Sequence, residues 1–381
     1  MDALKPALCS VAAAGIGLVA WRTSPWLIPV SLAFPAFVFA QDNRRAASLV
    51  AFTYYATASW TAVEVSGTYF AGGTSAGILP WLCASTLLTA PWAGLWCRHA
   101  ASWRLPLALI ATTMPPIGLI DWASPITSAG FLFPGLGFAG IAATVAVMVS
   151  AASRHVAVLV WLGLLSVAAN TFHTDPRQPT GWVGFNTHFG VVSDPRNPMP
   201  EFQAAVTIQQ EAAISAAKVL IFPEGVVPRW TEATDAFWKT TIDHAAKRGA
   251  VLLVGAAVPV AKPSPRLRNI VAIRGASTAE FEQRIPVPVA MWKPWGKDRV
   301  ALNLTGSATT EIGSERAAIF ICYEQLLPWS HMTALLNRPT VLVGVANASW
   351  TKHTAVPKYQ QAALHSWARL FGKPVISATN Y

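Results

Sequence analysis

Charge is scarce where the chain begins. Only 11 of the first 172 residues are Asp, Glu, Lys or Arg, against 35 of the remaining 209. Water-soluble domains are about one quarter charged, so the first part is not an ordinary solvent-exposed domain. Cysteine is scarce too. Cys9, Cys83 and Cys97 lie in apolar stretches and Cys322 stands alone in the polar half. This excludes a disulfide framework and a cysteine-pair metal site there. Internal repeats and low-complexity tracts are absent. The net charge of +10 is spread through both halves without a long basic tract, so no nucleic-acid partner is expected. His188, His244, His331, His353 and His365 keep no metal-ligand spacing, and neither a metal nor another cofactor is expected.

The first half is rich in apolar runs. A spanning helix needs about 20 mostly apolar residues, because its backbone must satisfy itself where water is absent. Seven stretches come near this, over approximately 6–21, 25–41, 46–63, 76–97, 104–120, 128–152 and 155–171. Residues 1–172 are therefore expected to be an all-α membrane bundle of about seven helices. Pro29 and Pro35 interrupt the second stretch. Arg44 and Arg45, Arg98 and Arg104, and Arg154 fall in alternate junctions, while Arg22, Glu64 and Asp121 fall in the others. The positive-inside rule then places the N-terminus and the arginine junctions in the cytoplasm. Seven crossings deliver the second half to the opposite face, the periplasm of a cell with an inner membrane.

From Gly181 the pattern changes. Val- and Ile-rich runs of strand length occupy 182–186, 218–222, 250–258, 269–273, 317–322, 340–345 and 374–378. Amphipathic stretches at about 198–217, 231–249 and 355–371 separate several of them. This alternation indicates an α/β domain over 173–381, entered through the linker 174–180. Ligands gather at the carboxyl ends of strands in α/β folds, and Asn186, Glu224 and Cys322 stand at such ends.

Two fragments carry chemistry. In Ile221-Phe222-Pro223-Glu224-Gly225 an apolar strand runs into a carboxylate. Burial raises the pKa of such a group and lets it shuttle a proton. In Ile319-Phe320-Ile321-Cys322-Tyr323-Glu324 an apolar strand runs into a thiol, which needs a base or a cation to become nucleophilic. Taken singly, each fits a bland reading as well: a satisfied strand-end carboxylate and a small core residue. Together, 98 residues apart and in this order, they say more.

FPEG, then the proline-rich segment Gln283-Arg284-Ile285-Pro286-Val287-Pro288, then ICYE and the tail Val345-Ala346-Asn347-Ala348-Ser349-Trp350 resemble the nitrilase (carbon–nitrogen hydrolase) superfamily. The likeness is to its membrane branch, the apolipoprotein N-acyltransferases and the shorter TraB-type conjugal transfer proteins. It implies an αββα sandwich and a Glu, Lys, Cys triad acting through a thioester. Cys322 is then the nucleophile and Glu224 the acid/base group. Tyr323, Glu324, Trp292 and Trp350 would line the substrate site. The family's lysine position falls on Gln283, leaving Arg284 and Lys293 as candidate cations. Met291, Trp292 and Trp295 make an apolar lid where the family carries an acid. The given chain stops at Tyr381, immediately after Ala378-Thr379-Asn380, where the acyltransferases continue with further strands and a last membrane helix, so either a trimmed variant or an early end of the reading frame is expected. The resemblance implies a membrane lipid or lipid-linked acyl donor, with lipoprotein or pilus substrates and conjugation proteins as partners. Two functions lead at this point: an acyl-transferring or amide-cleaving enzyme, and a catalytically impaired scaffold or pilus-processing accessory of the conjugation apparatus. A third, a transporter with a periplasmic appendage, is disfavoured by the scarcity of charge inside the apolar stretches.

Overall fold

A computed structural model describes residues 4–69, 73–98, 101–190, 192, 197–260, 266–293 and 300–381. The chain divides into two units, with the boundary between Asp175 and Pro176. Leu326–His331 and Thr354–Gly372 group with the first unit.

The first unit is helical, but seven spanning helices are not found among the described residues. Among the described residues, two helices are long and apolar enough to cross a membrane, Leu4–Thr23 and Gly73–Leu95. A third results only if Pro125–Leu132 and Gly137–Ser153, bent by 119°, are one span. The apolar runs are interrupted by backbone chemistry that composition does not register. Pro25 and Pro29 turn Pro25–Ala33 into 3-10 helix, because proline donates no backbone hydrogen bond. The stretch expected at 46–63 closes at Ala58, and that at 104–120 closes at Thr113. Val156–Phe172 has 17 residues, about 26 Å at 1.5 Å per residue, short of a core about 30 Å thick.

The unit is nonetheless apolar outside as well as inside. Val156–Phe172 buries none of its residues and presents Trp161, Leu164 and Val167 outward. Leu4, Leu8, Val11, Trp26 and Leu79 are exposed too. Exposed apolar surface on this scale marks contact with lipid or protein. Inside, Phe34 stacks on Tyr54 with ring centroids 4.0 Å apart, and Trp21 donates to the Tyr54 hydroxyl at 3.0 Å. Helix junctions distant in sequence meet: Asp42 accepts from Lys5 Nζ at 2.7 Å and pairs with Arg98 at 3.0 Å. Arg22 and Glu64 pair at 3.0 Å from two other junctions.

Helix Val356–Phe371 lies between the last two strands in sequence but groups with this helical unit. Tyr359 meets Trp21 at 5.7 Å, the Gly130 amide donates to Ser366 Oγ at 3.2 Å, and Ser366 Oγ donates to the Thr127 carbonyl. A Cβ on Gly130 would lie 1.7 Å from the Ser366 carbonyl oxygen, so the small residue permits the approach. Gly372, with φ 58°, ends the helix in the left-handed region that glycine tolerates.

The second unit holds two sheets. In the first, β1 (Trp182–Gly184), β2 (Val219–Ile221) and β3 (Val251–Pro259) run parallel, and β4 (Leu267–Gly275) and β5 (Ala279–Glu282) return antiparallel. In the second, β6 (Thr310–Ile312) is antiparallel to β7 (Glu315–Ile321), and β8 (Val341–Asn347) and β9 (Val375–Asn380) continue parallel. The seven expected strand runs are β1–β4 and β7–β9. The short edge strands β5 and β6 were not among them.

The sheets pack face to face. Ile221, Leu253 and Val271 of the first share a core with Ile319, Ile321, Val343 and Ile376 of the second. The other face of the first sheet, with Leu220, Leu252 and Ile270, is covered by helices Met199–Ile214 and Glu232–Lys247 through Ile208 and Trp238. Alternate residues of one strand thus feed two cores, the consequence of the two-residue period of a strand. At roughly 25 cal/mol per Å2 of apolar surface, fully burying each Leu or Ile contributes about 1.5–3 kcal/mol.

Candidate active site

Glu224 follows β2 by three residues, and Gly225 turns the chain at φ 68°. β3 fixes the carboxylate's place. A Cβ on Gly255 would lie 2.2 Å from the Pro223 carbonyl oxygen and 2.4 Å from Glu224 Cα, so the backbone passes through space that any side chain would fill. Cys322 follows β7 directly, with φ 52°. A cysteine in the left-handed region is held there by its surroundings, and such strain clusters at functional sites. The 3-10 turn Cys322–Leu326 begins at this residue.

The two strand ends converge. The Cys322 thiol donates a hydrogen bond to the Glu224 carboxyl. Cys322 is 6% exposed and Glu224 7%. Burial pushes the Glu224 carboxyl above its ordinary range, partly offset by hydrogen bonds from Cys322, the Asn269 side chain and the Asn347 backbone. Asn269 Nδ2 lies 2.7 Å from Oε1, and the Asn347 amide 3.0 Å from Oε2. All three groups on the carboxyl are neutral.

Gln283, at the position where the resemblance implies a lysine, is fully buried. Its Oε1 accepts from Asn269 Nδ2 at 3.0 Å, and its Nε2 donates to the Ile321 carbonyl at 3.0 Å. An amide chain, Glu224–Asn269–Gln283–Ile321, thus ties the carboxylate to the residue before the thiol. Asn269 was legible only as the first residue of a strand. An amide inside an otherwise apolar run was the signal it gave.

The remaining expected site residues fall in different places. Arg284 points elsewhere: its Nη1 donates to Thr333 Oγ1 at 2.8 Å and its Nε lies 3.8 Å from Glu324 Oε1. Glu324 is fully buried and faces backbone. It accepts from the amides of Arg284 at 2.9 Å, Ile285 at 3.0 Å and Ile321 at 3.0 Å. It locks the segment after β5 to the end of β7, and at zero exposure it has no surface to offer a substrate. Tyr323 is buried in the turn beside Cys322. Trp292 and Lys293 are half-buried in a loop where the Trp292 amide donates to the Val287 carbonyl at 3.1 Å. Trp350 is half-buried beyond the Asn347 turn, and Trp295 lies outside the described residues.

A second polar cluster braces the strand ends. Asn380 at the end of β9 accepts from Thr187 Oγ1 and the Phe189 amide, both at 2.9 Å, and donates to Asn347 Oδ1 at 3.2 Å. Asn186 accepts from the Thr379 amide at 2.9 Å. These contacts hold β1, β8 and β9 in register around Glu224.

The chain has relatives along its whole length. It is 30% identical over 400 residues to the conjugal transfer protein TraB of Agrobacterium fabrum, covering all of this chain and 94% of that one. It is 29% identical over 391 residues to a probable conjugal transfer protein TraB of Sinorhizobium fredii, covering 99% of it. No family model matches. Among solved structures, a carbon–nitrogen hydrolase from Helicobacter pylori aligns with a TM-score of 0.39 at 13% identity, over 52% of this chain and 73% of that one. An amidase from Nesterenkonia, covalently modified at its active-site cysteine, aligns with a TM-score of 0.37 at 14% identity, over 52% and 78%. With a relative at 30% identity aligned essentially end to end, the chain belongs to the TraB family of conjugal transfer proteins.

Proposed function

We propose that this protein is a membrane-anchored thiol enzyme of nitrilase type, acting as an acyltransferase or amidase in conjugal plasmid transfer. The observation that carries the reading is the hydrogen bond between Cys322 and Glu224, made by strand ends 98 residues apart. Glu224 takes the thiol proton as Sγ attacks the carbonyl carbon of an ester or amide. The proton passes from Glu224 to the departing alcohol or amine, leaving a thioester on Cys322. Glu224 then takes a proton from an incoming water or amine, which attacks the thioester, and returns it to the thiolate. A backbone N–H beside Cys322 serves the tetrahedral oxyanion.

A lipid-linked acyl donor, with a lipoprotein or pilus subunit as acceptor, fits a catalytic unit tethered to apolar helices. The orientation follows from the junctions. Arg154 lines one cavity with Lys5 and Arg98, so by the positive-inside rule these junctions belong to the cytoplasmic side, and the apolar helix Val156–Phe172 that follows Arg154 would carry the catalytic unit toward the periplasm at the inner membrane. The second reading is a scaffold of the conjugation apparatus, and Gln283 favours it, a neutral amide bonded to Asn269 at the position where the resemblance implies a lysine.

One experiment separates the two. The full chain and its Cys322→Ala variant are exposed to a thiol-reactive acyl probe, and each is tested for restoring plasmid transfer to a deletion strain. Loss of both labelling and transfer is expected. Loss of labelling with transfer intact would leave the scaffold, and unchanged labelling would remove Cys322 from the chemistry.

A further inference from the structure

The helical unit contains a pocket that the Cys322 chemistry does not use. It encloses about 440 Å3 and is lined by Lys5, Phe37, Phe39, Asp42, Arg98 and Arg154 among others. Its cations come from three separate elements: the start of the first helix, the residues after Gly73–Leu95, and the cap of Gly137–Ser153. Chain ends far apart in sequence thus bring three positive charges and one negative charge to a single cavity. Asp42 engages Lys5 at 2.7 Å and Arg98 at 3.0 Å. Arg154 is exposed and makes no ion pair among the described residues. The cavity therefore keeps an excess of two positive charges, with a free guanidinium on its wall.

We infer that this pocket binds the phosphate of an anionic membrane lipid. The anion is argued from charge and from shape. A guanidinium meets a phosphate with two parallel N–H donors, and neighbouring cations hold the remaining charge. The volume lies in the range of small-molecule sites. The lipid is argued from what surrounds the cations. Phe37 and Phe39 provide apolar wall, and the helix that begins beside Lys5 exposes Leu4, Leu8 and Val11. A headgroup in the pocket thus has a lipid-compatible surface leading away from it. Arg98 and Arg154, two of the arginine-bearing junctions, line the pocket, and the positive-inside rule assigns such junctions to the anionic cytoplasmic leaflet.

The test uses the full chain purified in detergent after incubation with mixed phosphatidylglycerol and phosphatidylcholine, the retained lipid being measured by mass spectrometry. Wild-type protein retains phosphatidylglycerol selectively. Arg154→Gln lowers that retention by about fivefold, the contribution of one cation near an anionic lipid surface. Arg154→Lys recovers part of it. Arg45→Gln removes an exposed charge three residues after Asp42 that does not line the pocket, and leaves retention unchanged. Equal losses in Arg154→Gln and Arg45→Gln would show diffuse attraction in place of a site and overturn the assignment. So would equal retention of the two lipids by wild-type protein. Release of phosphatidylglycerol by inorganic phosphate alone would give the pocket to a free anion. These outcomes do not depend on Cys322.

Discussion

Replacing Glu324 with Gln tests whether this residue is a brace or a substrate group. Its Oε1 accepts two backbone amides, from Arg284 and Ile285, and its Oε2 accepts a third, from Ile321. Glutamine has one carbonyl oxygen. If that oxygen takes the Oε1 position, the new NH2 group meets the Ile321 N–H, donor against donor. Arg284, 4% exposed in its side chain, loses its counter-charge at the same time. A hydrogen bond to a charged group contributes about 1.5–3 kcal/mol. Breaking a buried ion pair on one side costs about 3–5 kcal/mol, and the two effects overlap, so about 3–5 kcal/mol is the expected loss. For a unit of this size each kcal/mol moves the melting temperature by about 2–4 °C, so a fall on the order of 10 °C follows. Thermal unfolding of the full chain in detergent measures it, and hydrogen exchange at Arg284, Ile285 and Ile321 locates it. An unchanged melting temperature with reduced acyl-probe labelling would refute the reasoning, because Glu324 would then act on substrate.

Three further outcomes follow from the site. Burial raises the Glu224 carboxyl, and only its ionised form takes the thiol proton, so labelling of Cys322 should climb with pH through a midpoint above the ordinary carboxylate range; a pH profile checks this, and Glu224→Gln should erase that limb. Gln283→Lys places a cation beside the Asn269 amide and should speed labelling at neutral pH on the order of tenfold, since thiolates form near cations; an unchanged rate would show that this position does not reach the thiol. Gly255→Ala drives a methyl into the Pro223 carbonyl and Glu224 Cα, costing about 1–3 kcal/mol. It should depress labelling, while Gly163→Ala, with nothing within 4 Å of its Cβ, should not, as parallel labelling curves would reveal.

Much of the α/β unit was legible because its signals are local. β3, β4, β7 and β8 are Val- and Ile-rich runs, and each lies within about three residues of its expected bounds. β5 and β6 escaped notice because they are short edge strands carrying Glu280, Glu282 and Glu311, so hydropathy does not mark them. β6 is identified instead by its neighbour, through the two-residue Gly313-Ser314 hairpin that joins it to β7. In the first half hydropathy predicts more spans than the described residues hold. Hydropathy sums composition over a window, whereas Pro25, Pro29 and the turns near 59–60 and 114–116 break the helices that composition alone would join.

By itself the sequence determined the strand runs, the division of the chain into an apolar and a polar part, and the two strand ends that carry Glu224 and Cys322. These depend on neighbours two to four positions away. Only the tertiary structure decided that Asn269 and Gln283, 45 and 59 residues beyond Glu224, bridge it to the Ile321 carbonyl. It alone brought Arg284 and Glu324 together, and gathered Lys5, Asp42, Arg98 and Arg154 around one cavity. The physical reason is that a hydrogen bond or an ion pair is set by separation in space. That separation depends on how the sheets and helices pack, which no local pattern of residues encodes.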